Sequence, residues 1–236
     1  KLCCHRLPFR VGLVAVKRHR IAYFDGLMAP CNRAAHWISS ENGPIQRSSP
    51  SESMGSDACS AALGRASHTP LITGAAMKKT VKDYIRTIVD FPHEGIMFRD
   101  VSSLLLDAVG YRTTIDRLAA LVDPDTTLVA GIEARGFIVA SGIAYALGLG
   151  QLMLRKPGKL PGEKIGIDYT LEYGTDRIEM HVGHVRPDQK VLLVDDLIAT
   201  GGTALAGVDL IRRGGGKVEQ ALFIVDLPDL GGAEKL

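Results

Sequence analysis

Four runs in the later part of the chain, TTLVAG (126–131), QLMLRK (151–156), KVLLVDD (190–196) and VEQALFIVDL (218–227), restrict the fold more than any other feature. A strand with one wet face alternates apolar and polar residues. These runs are continuous at their apolar centres, as strands covered on both faces are. Segments of helical length precede or separate them: about 108–121, about 136–147, and TALAGVDLIRR, which the glycines at 214–216 stop. Strand and helix in alternation describe an α/β fold, a twisted, mostly parallel sheet flanked by helices. Residues 157–185 break that rhythm. They are polar and punctuated by glycine, and their pieces IDYTLEY and DRIEMHV alternate, with 174–176 as the join, which predicts a two-stranded β-ribbon.

The chain ahead of this pattern reads differently. MKKTVKDYIRTIVDF (77–91) is expected as an amphipathic helix with Val81, Tyr84, Ile85 and Ile88 on one face, and FPHEGIMFRDVSSLL (91–105) as loop plus a short extended piece. Residues 1–76 keep no period for long, and 39–70 are rich in Ser, Gly and Pro, the composition of a linker or disordered segment. They hold 9 Lys+Arg against 4 Asp+Glu, which leaves 19 against 22 for residues 77–236. The basic balance therefore belongs to the extension, and the larger part offers no net positive charge for nucleic acid. All four cysteines precede residue 77 in neither a CxxC nor a zinc spacing, and a cysteine-free main part points to a reducing, cytoplasmic setting. VGLVAV (11–16) is far shorter than the roughly 20 residues of a membrane span, and no small-residue cleavage site follows it. The expectation is an N-terminal extension over 1–76, disordered or foreign to the native protein, and one domain over 77–236 whose ending, GGAEKL, is cut short.

In open parallel sheets ligands bind beyond the carboxyl ends of the strands. VLLVDDLIATGGT (191–203) puts Asp195 and Asp196 at such an end. Adjacent carboxylates repel and resist desolvation unless hydroxyl donors or a metal-bound ligand face them, and vicinal ribose hydroxyls are suitable partners. Ile198, Ala199, Thr200, Gly201, Gly202 and Thr203 lead straight into a helix, so their amides and the helix's positive end converge on one anion site. Gly201 and Gly202 let the backbone wrap an oxyanion, and the hydroxyls of Thr200 and Thr203 add hydrogen bonds. No Lys follows the glycines and no GxGxxG is present, which excludes a Walker loop and a dinucleotide fingerprint. A diol contact beside a monophosphate cradle describes ribose 5-phosphate. His93, His181 and His184 form no metal-ligand arrangement.

VLLVDDLIATGGT resembles the 5-phosphoribosyl-1-pyrophosphate (PRPP) signature of type I phosphoribosyltransferases. FPHEGIMFRDVSSLL, AGIEARGF, RKPGKLPGE and LEYGTDRIEM follow the order and spacing of the adenine phosphoribosyltransferase family from about residue 78 onward. The resemblance implies the type I phosphoribosyltransferase fold with a flexible β-ribbon hood, and transfer of the phosphoribosyl group of Mg-PRPP to adenine, giving AMP and pyrophosphate in purine salvage. It implies a pyrophosphate loop in which Glu133 and Ala134 contribute backbone across a cis peptide and Arg135 reaches the phosphates. Arg155, Lys156 and Lys159 become a second clamp, with Pro157 where relatives carry a further basic residue. Glu172, the acid/base, and Tyr173 sit on the hood. Met97 and Arg99 offer backbone groups to the purine edge, and Phe98 suits stacking on the base or burial in the core alike. Mg2+ rides on PRPP and has no direct protein ligand, and the molecule is a homodimer. An oxopurine transferase and a PRPP-sensing transcriptional regulator are the competing assignments.

Overall fold

The apolar runs do become the sheet. The computed structural model describes residues 10–17, 20–24, 79–171 and 174–236. These lie in one unit, and a second, 27–78, falls outside the described residues, as does the linker-like stretch 39–70. Ten strands are described: β1 (Arg10–Lys17), β2 (Arg20–Phe24), β3 (Arg86–Val89), β4 (Met97–Asp100), β5 (Leu128–Ile132), β6 (Gly150–Leu154), β7 (Lys164–Leu171), β8 (Gly174–His181), β9 (Lys190–Ile198) and β10 (Lys217–Asp226). Four α-helices accompany them: α1 (Ser102–Leu106), α2 (Ala108–Leu121), α3 (Arg135–Leu147) and α4 (Gly202–Arg213).

The main sheet runs β2-β1-β10-β9-β5-β6. β10, β9, β5 and β6 are parallel, as their continuous apolar centres require, and β1 joins β10 antiparallel. Alternate residues feed two cores. On one face Val129, Leu192, Val194 and Leu222 meet Leu104, Ile115, Leu118, Val139 and Ile143 of α1, α2 and α3. On the other Ala130, Ile132, Leu193 and Phe223 meet Leu210 and Ile211 of α4 and Ile167, Ile178 and Met180 of the β7–β8 ribbon. α2 begins where Asp107 accepts the amides of Val109 and Gly110 at 3.0 and 2.8 Å, and α3 ends on Gly148 at φ 68°, a conformation that suits glycine. Among the described residues no helix is long and apolar enough to cross a membrane.

Three expectations need correction. The helix over 77–91 is not formed. Thr80 and Asp83 make a capping box, but the turn it starts is a single 3-10 turn (Val81–Tyr84), after which β3 pairs antiparallel with β4. Thr87, Ile88 and Val89 are β-branched, and the hairpin gives Arg86 a carboxylate partner in Asp100, so the extended form prevails over a helical period. The ribbon join is also displaced. Gly174 and Asp176 are strand residues paired with Leu171 and Tyr169, and the connection falls at 172–173, outside the described residues. Finally, part of the stretch set aside as an extension is sheet: β1 and β2 lie within it, and Leu13, Val14 and Val16 are buried. Leu13 and Ala15 enter one core and Val14 and Val16 the other, so β1 is a short apolar run without the alternation of a strand that has one wet face.

Candidate active site

The carboxyl ends of β5, β6 and β9 point to one side, and each leads into a turn rich in backbone donors or cations. After β5 comes the cis Glu133–Ala134 peptide, as anticipated, and then the first residues of α3. Gly136 sits so close to β9 that a Cβ there would stand 2.8 Å from Asp195 Oδ1 and 2.9 Å from the Val194 carbonyl. Only a residue without a side chain lets α3 start against the acidic pair. Arg135, one residue earlier, donates from Nε to Asp196 Oδ2, and its guanidinium lies 6.0 Å from the Phe98 ring centroid. Phe98 in turn meets Phe91 edge to face, with centroids 5.1 Å apart.

The two aspartates differ. β9 continues to Ile198, so both are strand residues before the turn. Asp196 is buried and paired with Arg135. Asp195 Oδ1 accepts the Asp196 amide at 2.8 Å. Burial, and then the neighbouring Asp196 charge, push the Asp195 carboxyl well above the ordinary carboxylate range. For Arg135, burial opposes the charge, but the hydrogen bond to Asp196 and the two carboxylates hold its pKa above the usual arginine value.

At the β9–α4 turn Gly201 takes φ 82° as the N-cap of α4 and has no side chain with which to cap it. The first amides of a helix lack partners within it, and no N-cap side chain takes up those after Gly201. A Cβ on Gly201 would stand 2.8 Å from the Gly232 carbonyl. Lys235 Nζ donates to the Thr200 carbonyl at 2.9 Å. The C-terminal turn thus backs the loop, a support that the sequence pattern did not disclose.

The clamp after β6 is organised by Glu133. Its carboxylate accepts Arg155 Nη2 at 3.0 Å and the Lys156 amide at 2.8 Å, and the hydrogen bond from Arg155 holds its pKa below the ordinary glutamate value. Lys159 is exposed, with its amide bonded to the Lys156 carbonyl at 3.3 Å. Lys156 turns to the ribbon: Nζ pairs with Asp176 and donates to the Tyr169 hydroxyl at 2.9 Å. Sequence reasoning missed Asp176 and Tyr169, because a join at 174–176 put Asp176 in the turn instead of opposite Tyr169.

Arg135, Asp195, Asp196 and Phe98 are therefore brought together, and Glu133 links the β5–α3 turn to Arg155 and Lys156. Arg99 is buried and its guanidinium donates to Thr87 Oγ1 across the hairpin. Met97 lies on the same strand, opposite Val89. Glu172 and Tyr173 lie outside the described residues. Among the described residues no group of three or more His, Cys, Asp or Glu could hold a metal ion.

Known proteins resemble this chain in sequence and fold. The family model of the phosphoribosyl transferase domain matches residues 111–229. The adenine phosphoribosyltransferase of Dinoroseobacter shibae is 54% identical over 160 residues, which span 67% of this chain and 89% of that protein. The crystal structure of the adenine phosphoribosyltransferase from Thermoanaerobacter pseudethanolicus superposes with a TM-score of 0.64 at 44% identity, covering 66% of this chain and 91% of that one. The Saccharomyces cerevisiae enzyme, solved with an imino-altritol bisphosphate and adenine, gives 0.59 at 31% identity over 66% of this chain and 92% of that one. With an acidic pair, an uncapped glycine turn and a cationic clamp on one edge of the matching sheet, this chain belongs to the adenine phosphoribosyltransferase family.

Proposed function

We infer that this chain transfers the 5-phosphoribosyl group of PRPP to adenine and releases AMP and pyrophosphate. One observation carries the reading: Phe98, Arg135 and Asp196 are linked in series by a ring-cation contact of 6.0 Å and an ion pair. An aromatic wall for a base, a cation for a leaving pyrophosphate and a carboxylate for a sugar diol thus adjoin at one site.

The bond to pyrophosphate breaks ahead of attack, so the residues have to hold two reactants in line and neutralise the leaving group. Ile198, Ala199, Thr200, Gly201, Gly202 and Thr203 cradle the 5-phosphate through amides and hydroxyls. Asp195 and Asp196 take the ribose hydroxyls. Arg135, Arg155, Lys156 and Lys159, with the amides at Glu133 and Ala134, take the pyrophosphate. Phe98 stacks on the purine while Met97 and Arg99 read its edge through the backbone. Glu172 exchanges a proton with a purine ring nitrogen and Tyr173 closes over PRPP, with the β7–β8 ribbon excluding water.

Magnesium, when bound, lowers the negative charge that the pyrophosphate carries away. The residues fit a hydrated ion carried by PRPP better than a directly ligated one, since Asp196 is already paired with Arg135. We also assign the chain to the cytoplasm, on its cysteine-free residues 77–236, and to a homodimer with small molecules rather than nucleic acid or membrane as partners. An exposed stripe on α3 supports the dimer: Ile138 and Tyr145 share a face, and Met153 of the edge strand β6 is exposed on that flank.

A competition assay with Mg-PRPP and equal adenine, hypoxanthine, guanine and xanthine tests the substrate. AMP is expected as the main product. A dominant oxopurine nucleotide contradicts the assignment.

A further inference from the structure

The proposed reading makes Lys156 a pyrophosphate ligand, yet its ammonium is engaged with the ribbon. Lys156 Nζ pairs with Asp176 Oδ2 and donates to the Tyr169 hydroxyl at 2.9 Å, while that hydroxyl donates to Asp176 Oδ2 at 3.1 Å. Tyr169 and Asp176 are cross-strand partners on β7 and β8, close to where the ribbon connects. Tyr169 is buried, and the next carbonyl, that of Thr170, stands 3.1 Å from where a Cβ on Gly202 would lie. The stretch of ribbon that grips Lys156 therefore also rests on the first turn of α4, over the anion cradle.

We propose that Asp176 is a latch, a positioning residue acting through Lys156: it holds the ammonium against the ribbon until pyrophosphate oxygens take it over, so that anion binding and loss of the Lys156–Asp176 pair are one ion-pair exchange. This rests on the assignment of Lys156 to pyrophosphate. A lysine suits an exchange because its ammonium is a compact charge on a flexible stem, without the fixed fork of an arginine. The incoming pyrophosphate carries more negative charge than the single carboxylate it displaces. Asp176 is not left bare after the hand-over, for Oδ1 accepts the Arg177 amide at 2.7 Å and Oδ2 keeps the Tyr169 hydroxyl. The pair is also accessible enough to break, with 38% of the Lys156 and 26% of the Asp176 side chain exposed.

The test is calorimetric titration of the full chain with magnesium pyrophosphate in wild type, Asp176→Asn, Lys156→Met and the double variant. Removing a competing, partly exposed carboxylate should tighten pyrophosphate binding about two- to fivefold in Asp176→Asn. Lys156→Met should weaken it, and Asp176→Asn should then change nothing further in the Lys156→Met background. A merely structural aspartate gives the opposite, unchanged or weaker binding in Asp176→Asn and additive losses in the double variant, and that result overturns the latch. Wild-type affinity in Lys156→Met overturns the clamp assignment and the latch with it, which separates the two failures. A measurement on the wild type guards against a variant that does not fold. The carboxyl-carbon resonance of Asp176 should shift as pyrophosphate saturates the site, and a resonance that stays put contradicts the exchange.

Discussion

Gly136 shows how one missing Cβ sets the site. Its neighbours are Asp195 Oδ1 at 2.8 Å and the Val194 carbonyl at 2.9 Å, and the second is backbone of a central strand that cannot swing aside. Gly136→Ala should cost about 1–3 kcal/mol in urea unfolding, the range for overpacking a tight contact. It should also raise the KM for PRPP more than that for adenine, since Arg135 moves with the start of α3. Asp195 gives a prediction of opposite sign for stability and activity. Its pKa lies above 3.8 because burial and Asp196 disfavour the charge. The folded state thus holds the proton more tightly than the unfolded state. Its contribution to stability is fully present below 3.8 and is lost as pH rises through the folded pKa. Asp195→Asn should therefore melt higher than wild type at neutral pH, with the gap closing on acidification, while turnover falls. Equal melting curves across that range would contradict the burial of the charge.

Elements were legible where one environment dominates a run. β5, β6, β9, β10, α2, α3 and α4 lie within a residue or two of their sequence-based positions, because buried parallel strands need unbroken apolar centres and glycine ends α3 and α4. The strand-to-helix turn after β9 was legible for the same reason: an acidic pair and two glycines mark the end of an apolar run and the start of a helix. The segment 81–89 was not, since Val81, Tyr84, Ile85 and Ile88 satisfy a helical period and only pairing with 97–100 decides between states. Nor could pattern reveal the partner of Lys156, which depends on the ribbon register. Hydrogen exchange separates the two forms of 86–89 directly. A two-stranded hairpin protects alternate amides, whereas a helix protects consecutive ones. Uniform protection across these four residues would restore the helix.

At the scale of the whole molecule, β1 covers the β10 side of the sheet. Leu13, Val14 and Val16 are almost fully buried, and the Tyr23 hydroxyl donates to buried Asp226 at 2.8 Å. At roughly 1.5–3 kcal/mol for each large buried side chain, removing residues 1–24 should cost about 5 kcal/mol. That approaches the total stability of many domains. The shortened chain should melt far lower and aggregate through the bared β10 edge, and an unchanged melting curve would show that the hairpin is dispensable. The exposed α3 flank makes a second prediction. Tyr145 is 91% exposed, and Tyr145→Glu should convert a dimer into a monomer by light scattering with little loss of monomer stability. Beneath both lies the claim that the β9–α4 turn grips a phosphorylated sugar. Ribose 5-phosphate titrated into 15N-labelled protein tests it most directly: the amide resonances of Thr200, Gly201, Gly202 and Thr203 should shift together and saturate, whereas shifts confined to other residues would contradict it.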